Sequence, residues 1–265
     1  MVDLEFDDGL AVLTIDRPHA RNAIALDTME QLEKAIDAAA GARTLVIKGA
    51  GDRAFVSGGD LKELATLRTE ADAAAMAKRM RSICDQLATF PAPVVAALNG
   101  HAFGGGAEVA VAADIRVAAD DIKIAFNQVA LEIMPAWGGA ERLAAIVGKS
   151  KALLLAGTGT TLDAAEAERI GLVSYVKSAD ELEPFVDHFV AEIASGPPVG
   201  VRFSKRLVID GLARTYREHV VAQEYASLAN RVLADHDVRE GIAAFKEKRS
   251  PDFRGIVATR RWQNY

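Results

Sequence analysis

Cysteine is the scarcest reactive residue of this 265-residue chain and occurs once, at Cys84. A single cysteine excludes a disulfide within the chain and any metal site built from several thiolates, and it is typical of a reducing compartment. The five histidines show no metal-ligand spacing, so no metal site is expected. The first residues lack the basic and apolar segments of a signal peptide. These absences together predict a cytoplasmic protein without a metal.

A basic surplus and a long apolar run are also lacking. The 31 Lys and Arg residues against 37 Asp and Glu give a formal net charge of −6, which argues against nucleic acid as a partner. The most apolar region, 94–119, contains Asn99, His101, Glu108 and Asp114, so it never reaches the ~20 apolar residues of a membrane span. With 50% hydrophobic and 26% charged residues, the chain has the composition of a globular protein with its own core.

What is present is an alternation of short apolar runs with helical patterns. Two runs, Thr44 to Ile47 and Val94 to Leu98, are continuously apolar or β-branched, which is typical of strands in a sheet covered on both faces. Apolar residues three and four positions apart predict a helix capped at Asp27 or Thr28 and a longer one from Glu70 to Phe90. The alternation predicts an α/β fold.

The Gly196-Pro197-Pro198 sequence is the best candidate for a boundary, because two prolines stop a preceding helix. We expect an α/β core over residues 1–195 and a helical region over 196–265. The helical region has too few apolar positions for a core of its own, so we expect it to pack on the first part or on a neighbouring subunit. Those positions are Leu207, Leu212, Val220, Tyr225, Leu228 and Val232.

A first glycine turn, Ser57-Gly58-Gly59-Asp60, lies between a predicted strand and a predicted helix. Paired glycines allow a ligand to approach the backbone closely. Asp60 followed by Glu63 resembles a capping box, which would leave the N–H groups of a helix N-terminus near the glycines. An ordinary turn is the alternative interpretation.

A second glycine turn, Gly104-Gly105-Gly106, follows a predicted buried strand and opens a helix. Backbone N–H groups at such a helix start can bind an anion or a developing oxyanion. The spacing fits neither the dinucleotide fingerprint nor the phosphate-binding loop. Glu108 follows one turn later within an otherwise apolar run, where an ionisable group is more often sequestered and functional than solvated.

The two turns and their surroundings resemble the crotonase superfamily, the enoyl-CoA hydratase and isomerase family. The resemblance covers almost the whole chain through motifs in the same order. They are Arg17-Pro18, Arg21-Asn22-Ala23, the segment Ser57 to Glu63, Asn99-Gly100, Gly104 to Glu108, Pro135 to Gly139, Gly171-Leu172-Val173 and Glu240 to Arg249.

The resemblance implies a crotonase-type spiral of ββα units with a C-terminal helical trimerisation region, hence a homotrimer or a dimer of trimers. It implies an acyl-CoA substrate, with coenzyme A as part of that substrate and no further cofactor. By position, the N–H groups of Gly59 and Gly105 would form the oxyanion hole and Glu108 would be a catalytic carboxylate. The matches to CoA-contacting segments are Arg21, Asn22, Ala23 and Ser57 and, reaching from the C-terminal region, Phe245 and Lys248.

The sequence departs from the family pattern at two positions. Hydratases resembling this chain carry a second catalytic glutamate about twenty residues after the first, and here that position holds Gln128, which cannot perform carboxyl acid–base chemistry. Glu132 is the nearest carboxylate, where the family usually has glycine. Trp137 stands where hydratases have a small residue, so we assign Glu132 and Trp137 to the acyl pocket, with core filling as the alternative for the tryptophan.

Three functions therefore stay open. The first is hydration of a 2-enoyl-CoA, with Glu108 as base and the missing acid supplied by water bound to Gln128 or by Glu132. The second is decarboxylation of a malonyl-type acyl-CoA, because the segment Ile133 to Gly139 resembles ethylmalonyl-CoA decarboxylases, which also lack the second glutamate. The third is acyl-CoA binding without turnover. The first two make the chain a lyase.

Overall fold

The computed structural model describes residues 1–66, 69–213 and 236–252. It opens with an antiparallel hairpin of β1 (Val2–Asp7) and β2 (Leu10–Ile15). Asp8 and Gly9 both have positive φ, 42° and 83°, as the two-residue turn that matches strand twist requires.

After helix α1 (Leu26–Ala38), the chain makes three successive turns of one pattern, in which two strands are followed by helical structure. The first strand of each turn joins a large sheet and the second joins a small one. The pairs are β3 (Thr44–Gly49) with β4 (Ala54–Val56), β5 (Val94–Leu98) with β6 (His101–Phe103), and β7 (Ile115–Ala119) with β8 (Lys123–Ala125).

The large sheet has the order β1-β2-β3-β5-β7-β10, where β10 is Tyr175–Lys177, and it is parallel from β2 onward. The small sheet has the order β4-β6-β8-β9, with β9 (Leu162–Asp163) antiparallel to β8. In β5 every residue is buried, so its continuous apolar run reflects cover on both faces.

Helices pack against both sheets and enclose one hydrophobic core. On α3 (Glu70–Ala88), Met80, Ile83 and Leu87 form the buried stripe, while Met76 is half-buried. The other helices within the described residues are α2 (Leu61–Leu64), α4 (Gly105–Ala112), α5 (Gly139–Val147), α6 (Lys149–Thr158), α7 (Ala164–Arg169), α8 (Ala179–Ser195), α9 (Pro198–Ala213) and α10 (His236–Glu247).

Helix α1 begins at Leu26, and its N-cap is Ala25, two residues before the nearer of the two predicted caps. The expectation of a cap at Asp27 or Thr28 was wrong because the Leu26 N–H is satisfied from a distant segment, by Glu63 Oε2 at 2.7 Å. A helix start can be fixed by tertiary contact as well as by a local side chain.

The break at Gly196 does separate two helices, since α8 ends at Ser195 and α9 begins at Pro198. Helix α9 is tied to the core by two cations: Arg202 donates to Ala42 O at 3.0 Å, and Lys205 pairs with Asp114 at 2.7 Å. The apolar positions predicted at Val220, Tyr225, Leu228 and Val232 lie outside the described residues. In the described part of the chain, no helix combines the length and the apolar character needed to span a bilayer.

Candidate active site

The first glycine turn is held by the segment that precedes α1. Ser57 N donates to Arg21 O at 3.2 Å, Ile24 N to Gly58 O at 2.8 Å, and Asp60 N to Ile24 O at 2.9 Å. The segments 21–24 and 57–60 therefore run side by side like parallel strands. Among the described hydrogen bonds, none uses the Gly59 N–H, which is available to a ligand.

Asn22, one of the predicted CoA-binding residues, is fully buried and in the left-handed region with φ 55°. Its Oδ1 accepts from Arg17 N at 2.9 Å, and its Nδ2 donates to Ala50 O at 3.0 Å and Ala54 O at 2.7 Å. These contacts occupy both ends of the amide. Asn22 thus shapes the loop from inside, while the neighbouring Arg21 side chain is exposed and Ala23 is buried.

The start of α2 differs from the predicted capping box in its second half. Asp60 does cap the helix, since its Oδ1 accepts from Lys62 N at 3.0 Å. Glu63, however, reaches across to Leu26 N instead of back to Asp60. Asp60 also pairs with Arg17 at 3.1 Å, which joins this helix start to the Arg21–Ala23 loop.

The second glycine turn lies directly against the first. Gly104 adopts φ 54° and ψ −119°, which favours glycine, and it starts α4. A Cβ on Gly106 would lie 1.7 Å from Val56 O, and a Cβ on Gly58 would lie 3.3 Å from Gly105 N. The glycines are therefore needed for close approach, and as the first helical residue Gly105 has no intrahelical partner for its N–H.

The Trp137 indole covers both turns. A Cβ on Gly105 would lie 2.2 Å from Trp137 Cζ3, and one on Gly59 would lie 3.6 Å from Cζ2. The side chain is buried, with 6% exposed. The indole thus fills space beside the two N–H groups, so both the acyl-pocket and the core-filling interpretation describe part of its surroundings.

Glu108 is the buried carboxylate of this site, with 2% exposed, and it lies on a helix whose every residue is buried. Its Oε2 accepts from Trp137 N at 2.8 Å and Gly139 N at 2.9 Å, and its Oε1 accepts from Gln128 Nε2 at 2.9 Å. Burial raises the pKa of Glu108 above its ordinary value of 4.5, and the three hydrogen bonds counteract only part of that rise.

Gln128 and Glu132 lie on the same short 3₁₀ segment but have different surroundings. Gln128 is buried and bonds to Glu108, whereas Glu132 ends the segment in a left-handed conformation with φ 57° and is exposed. The donors to the Glu108 carboxylate within the described chain are Gln128, Trp137 and Gly139. The structure therefore joins Gln128, and not Glu132, to the carboxylate.

Sequence reasoning missed the pair that holds the loop 137–139 from its other side. Arg142 Nη1 donates to Trp137 O at 3.0 Å, and Arg142 Nη2 bonds to Asp85 on α3. The Trp137–Gly139 backbone thus binds Arg142 through a carbonyl and Glu108 through its N–H groups. The only signal in the sequence was the glycine pair after Trp137, because a Cβ on Gly138 would lie 2.3 Å from Arg142 Nη1 and one on Gly139 would lie 2.3 Å from Glu108 Cγ.

Phe245 and Lys248, predicted to contact CoA from the C-terminal region, lie at the end of α10. Phe245 is 87% exposed, and Lys248 is exposed with φ 54°. Within one chain, neither residue takes part in the described backbone hydrogen bonds of the two glycine turns. In the described ranges no group of three or more His, Cys, Asp or Glu residues is arranged to hold a metal ion.

Comparison with known proteins identifies the family. The sequence pattern described as enoyl-CoA hydratase/isomerase matches residues 5–256. The chain belongs to the enoyl-CoA hydratase/isomerase family. The crotonase resemblance is thereby confirmed. The family is one of enzymes, and an acyl-CoA substrate fits it.

Relatives match over nearly the full length of this family member. It is 36% identical to the crotonyl-CoA hydratase of Syntrophomonas wolfei over 253 residues, which cover 94% of this chain and 96% of the relative. It is 33% identical to the mitochondrial methylglutaconyl-CoA hydratase of Mus musculus over 260 residues, which cover 95% of this chain and 81% of that relative. The crystal structure of enoyl-CoA hydratase from Bacillus anthracis superposes with a TM-score of 0.91 at 31% identity. The superposition covers 96% of this chain and 99% of that structure. The crotonase-type fold is confirmed.

Proposed function

We propose that this chain is a lyase that hydrates a 2-enoyl-CoA thioester. The observation that carries the proposal is the buried Glu108 carboxylate. It is held within one turn of the Gly105 N–H, which has no partner among the described backbone hydrogen bonds, and behind the same indole that covers Gly59. A buried ionisable group costs stability, and such groups cluster at functional sites. The named hydratases among the relatives support the same reaction class.

The chemistry requires a base near the acyl chain and donors at the thioester oxygen. As the water oxygen bonds to the β-carbon, Glu108 takes a proton from that water, and the electron pair of the double bond moves toward the thioester oxygen. The N–H groups of Gly59 and Gly105 stabilise this enolate oxygen, which can contribute several kcal/mol. A proton then adds to the α-carbon to give the 3-hydroxyacyl-CoA.

The CoA portion would contact the Arg21–Ala23 loop and Ser57, with the exposed Arg21 side chain supplying the charge and Asn22 shaping the loop. Phe245 and Lys248 would reach CoA on a neighbouring subunit, since their exposure in a single chain fits a partner-facing role. This requires a homotrimer or a dimer of trimers, assembled through the region 196–265. Sedimentation showing a stable monomer at micromolar concentration would contradict it.

A shift of the double bond is a second candidate, and Gln128 is the observation that favours it. One carboxylate suffices to take a proton from one carbon of an enolisable thioester and return it to another. Decarboxylation has less support, because the amide proposed to bind a substrate carboxylate donates to Glu108 instead, and the relatives named above offer nothing for it.

A panel of thioesters tests the proposal and separates these candidates. It contains crotonyl-CoA, longer 2-enoyl-CoAs, a 3-enoyl-CoA, methylmalonyl-CoA and ethylmalonyl-CoA, with products identified by mass spectrometry. We expect addition of water to one or more of the 2-enoyl esters. Conversion of only the 3-enoyl ester would favour isomerisation, loss of carbon dioxide from a malonyl-type ester would favour decarboxylation, and no turnover with tight binding would make the chain a binding protein.

A further inference from the structure

The loop before α5 supplies two of the described hydrogen bonds that hold the Glu108 carboxylate. Trp137 N and Gly139 N donate to Glu108 Oε2 at 2.8 and 2.9 Å. Trp137 lies outside the regular helices and strands, and Gly139 is the first residue of α5. Neither N–H is therefore held by a bond within a helix or a sheet. The position of the carboxylate depends on what holds this loop.

Arg142, one turn into α5, bonds to the loop through the carbonyl group of Trp137. Its Nη1 donates to Trp137 O at 3.0 Å, and its Nη2 bonds to Asp85 on α3. Because the guanidinium is planar and rigid, the carboxylate that fixes one nitrogen also fixes the direction of the other. Gly138 has φ 89°, and a Cβ there would lie 2.3 Å from Arg142 Nη1. The loop is thus shaped to receive the guanidinium.

The pair of Arg142 with Asp85 is only partly shielded from solvent. The Arg142 side chain is 18% exposed, and that of Asp85 is 53% exposed. An ion pair with an exposed partner typically contributes little to folding stability. Asp85 also lies 4.0 Å from Arg81, which pairs more closely with Glu141, at 2.9 Å. Stability is therefore a weak reason for the Asp85–Arg142 pair, whereas orientation of the guanidinium is a specific one.

We propose that Arg142, oriented by Asp85, is a positioning residue that holds the loop 137–139 and, through it, the Glu108 carboxylate in place for proton transfer. This inference rests on the proposed hydration. Neither Arg142 nor Asp85 is assigned a contact with the substrate, since both act through the backbone of the loop. A reacting group displaced by about 1 Å can lose about 10²-fold in rate, so a loosened loop should lower kcat more than affinity.

Asp85→Ala is the decisive variant, because its two possible effects on Glu108 have opposite signs. Removal of a nearby negative charge by itself favours the ionised carboxylate and would move the midpoint of the kcat/KM profile to lower pH. A loosened loop weakens two N–H bonds to the ionised carboxylate and moves that midpoint to higher pH. The direction of the change therefore separates positioning from a simple charge effect.

We expect the midpoint of Asp85→Ala to rise and its kcat for the best 2-enoyl ester of the panel to fall about fivefold. KM and the affinity for butyryl-CoA, which has no double bond to hydrate, should change less than about threefold. Other charged or titratable groups that act on Glu108 are unchanged in this variant: Glu141 on α5, and Arg81 and Cys84 on α3.

A double-mutant cycle shows whether Asp85 acts through Arg142. Arg142→Met alone should lower kcat about tenfold, and Asp85→Ala should then cost less than about twofold more, because no guanidinium is left to orient. Independent effects would instead multiply to about fiftyfold in the double variant. Arg142→Lys should have a kcat between those of Arg142→Met and the wild type, since an ammonium keeps the charge but lacks the two-nitrogen fork.

Glu33→Ala is the matched control. Glu33 on α1 is a partly exposed carboxylate that pairs with Arg79 on α3, and the described hydrogen bonds of that pair do not include the loop 137–139. This variant should leave kcat and the midpoint unchanged, and a shift equal to that of Asp85→Ala would count against the inference.

A midpoint that stays or falls in folded Asp85→Ala would overturn the inference, and so would an approximately fiftyfold loss of kcat in the double variant. If Arg142→Met fails to fold, Asp85→Ala still decides, because the replaced side chain is exposed. A wild-type protein that hydrates no ester would instead overturn the proposed function.

Discussion

The two glycine turns that meet under Trp137 are held by different means. The first, around Gly59, is fixed by backbone bonds to the loop 21–24 and by caps from Asp60 and Glu63, and that loop is in turn fixed by the buried Asn22 amide. The second, around Gly105, is fixed by close packing of α4 on β4. Beside it lie the buried Glu108 carboxylate and the Gln128 Oε1, which has no partner in the part of the chain that the structure describes.

This difference separates support from reactivity. On the Gly59 side the buried Asn22 amide is satisfied at both ends by the protein, so its removal should reduce stability and leave chemistry intact. On the Gly105 side the buried Gln128 Oε1 has no partner among the described residues, which costs stability. Substitutions that lower kcat and substitutions that lower the free energy of unfolding should therefore fall on opposite sides of the indole.

Glu108→Gln should have the largest effect. We expect kcat for hydration to fall about 10³-fold, equivalent to about 4 kcal/mol, with KM changed less than about threefold. The new amide can accept from Trp137 N and Gly139 N and donate to a rotated Gln128, so the fold should persist. Unchanged turnover in this variant would reduce Glu108 to a structural role.

The same variant should be more stable than the wild type at neutral pH. Because burial raises the pKa of Glu108 in the folded state, ionisation of this group above that pKa destabilises the native protein. Thermal unfolding should show a higher midpoint for Glu108→Gln at pH 7, and the gain should disappear as the pH falls below 4.5, the ordinary pKa that Glu108 has in the unfolded chain. A lower midpoint at pH 7 would show that the three hydrogen bonds outweigh burial.

Asn22→Gly should have the next largest effect, and the effect should be on stability. Glycine tolerates the positive φ, so this change removes the amide without adding backbone strain. Loss of its bonds to buried backbone groups should lower the free energy of unfolding by about 2–3 kcal/mol in denaturant titrations. The folded variant should retain kcat within about threefold. A 10²-fold fall in kcat at unchanged stability would place Asn22 with the reacting groups.

Arg142→Met should have an effect of about tenfold on kcat, equivalent to about 1.4 kcal/mol, because the loop that donates to Glu108 loses its anchor to Asp85. The midpoint of the pH profile should rise as the two N–H donors become less well held. Arg79→Met is the matched control. Arg79 also joins two helices through an acidic partner, since it extends from α3 to Glu33 on α1, but its described hydrogen bonds do not include the loop 137–139. Equal losses of kcat in the two variants would show that the effect does not depend on the loop 137–139.

Trp137→Phe should have the smallest effect and should sharpen the role of the indole. A smaller ring leaves more room beside Gly59 and Gly105. We therefore expect the ratio of kcat/KM for longer over shorter 2-enoyl-CoAs to rise about threefold to fivefold, less than the roughly tenfold that one full methylene in an apolar pocket can give. An unchanged ratio, with lower thermal stability, would favour core filling alone.

Most of the fold could be predicted from the sequence because its signals are local. The continuous apolar runs of β3 and β5 and the apolar spacing of α3 indicated their elements directly. The first residue of α1 could not be predicted, because its N–H is satisfied by Glu63, far away in the chain. The site follows the same rule: the glycine turns and Glu108 have local signals, but the Arg142–Asp85 pair depends on how α3 and α5 pack.

The role of Asn22 shows a further limit. The motif Arg21-Asn22-Ala23 pointed to CoA through resemblance, but the buried amide is occupied by the protein backbone. A sequence motif does not distinguish a side chain that contacts a ligand from one that shapes the loop contacting it. Burial and hydrogen-bond partners make that distinction.

The pH dependence of kcat/KM for wild-type hydration tests most directly whether one buried carboxylate performs the proton transfer. Protonated Glu108 cannot accept a proton from water, so activity should rise with pH through a single midpoint above 4.5, the ordinary value from which burial raises the pKa of this group. A midpoint at or below that value, or a bell-shaped profile with a second carboxyl ionisation, would contradict the account and show that another group shares the work.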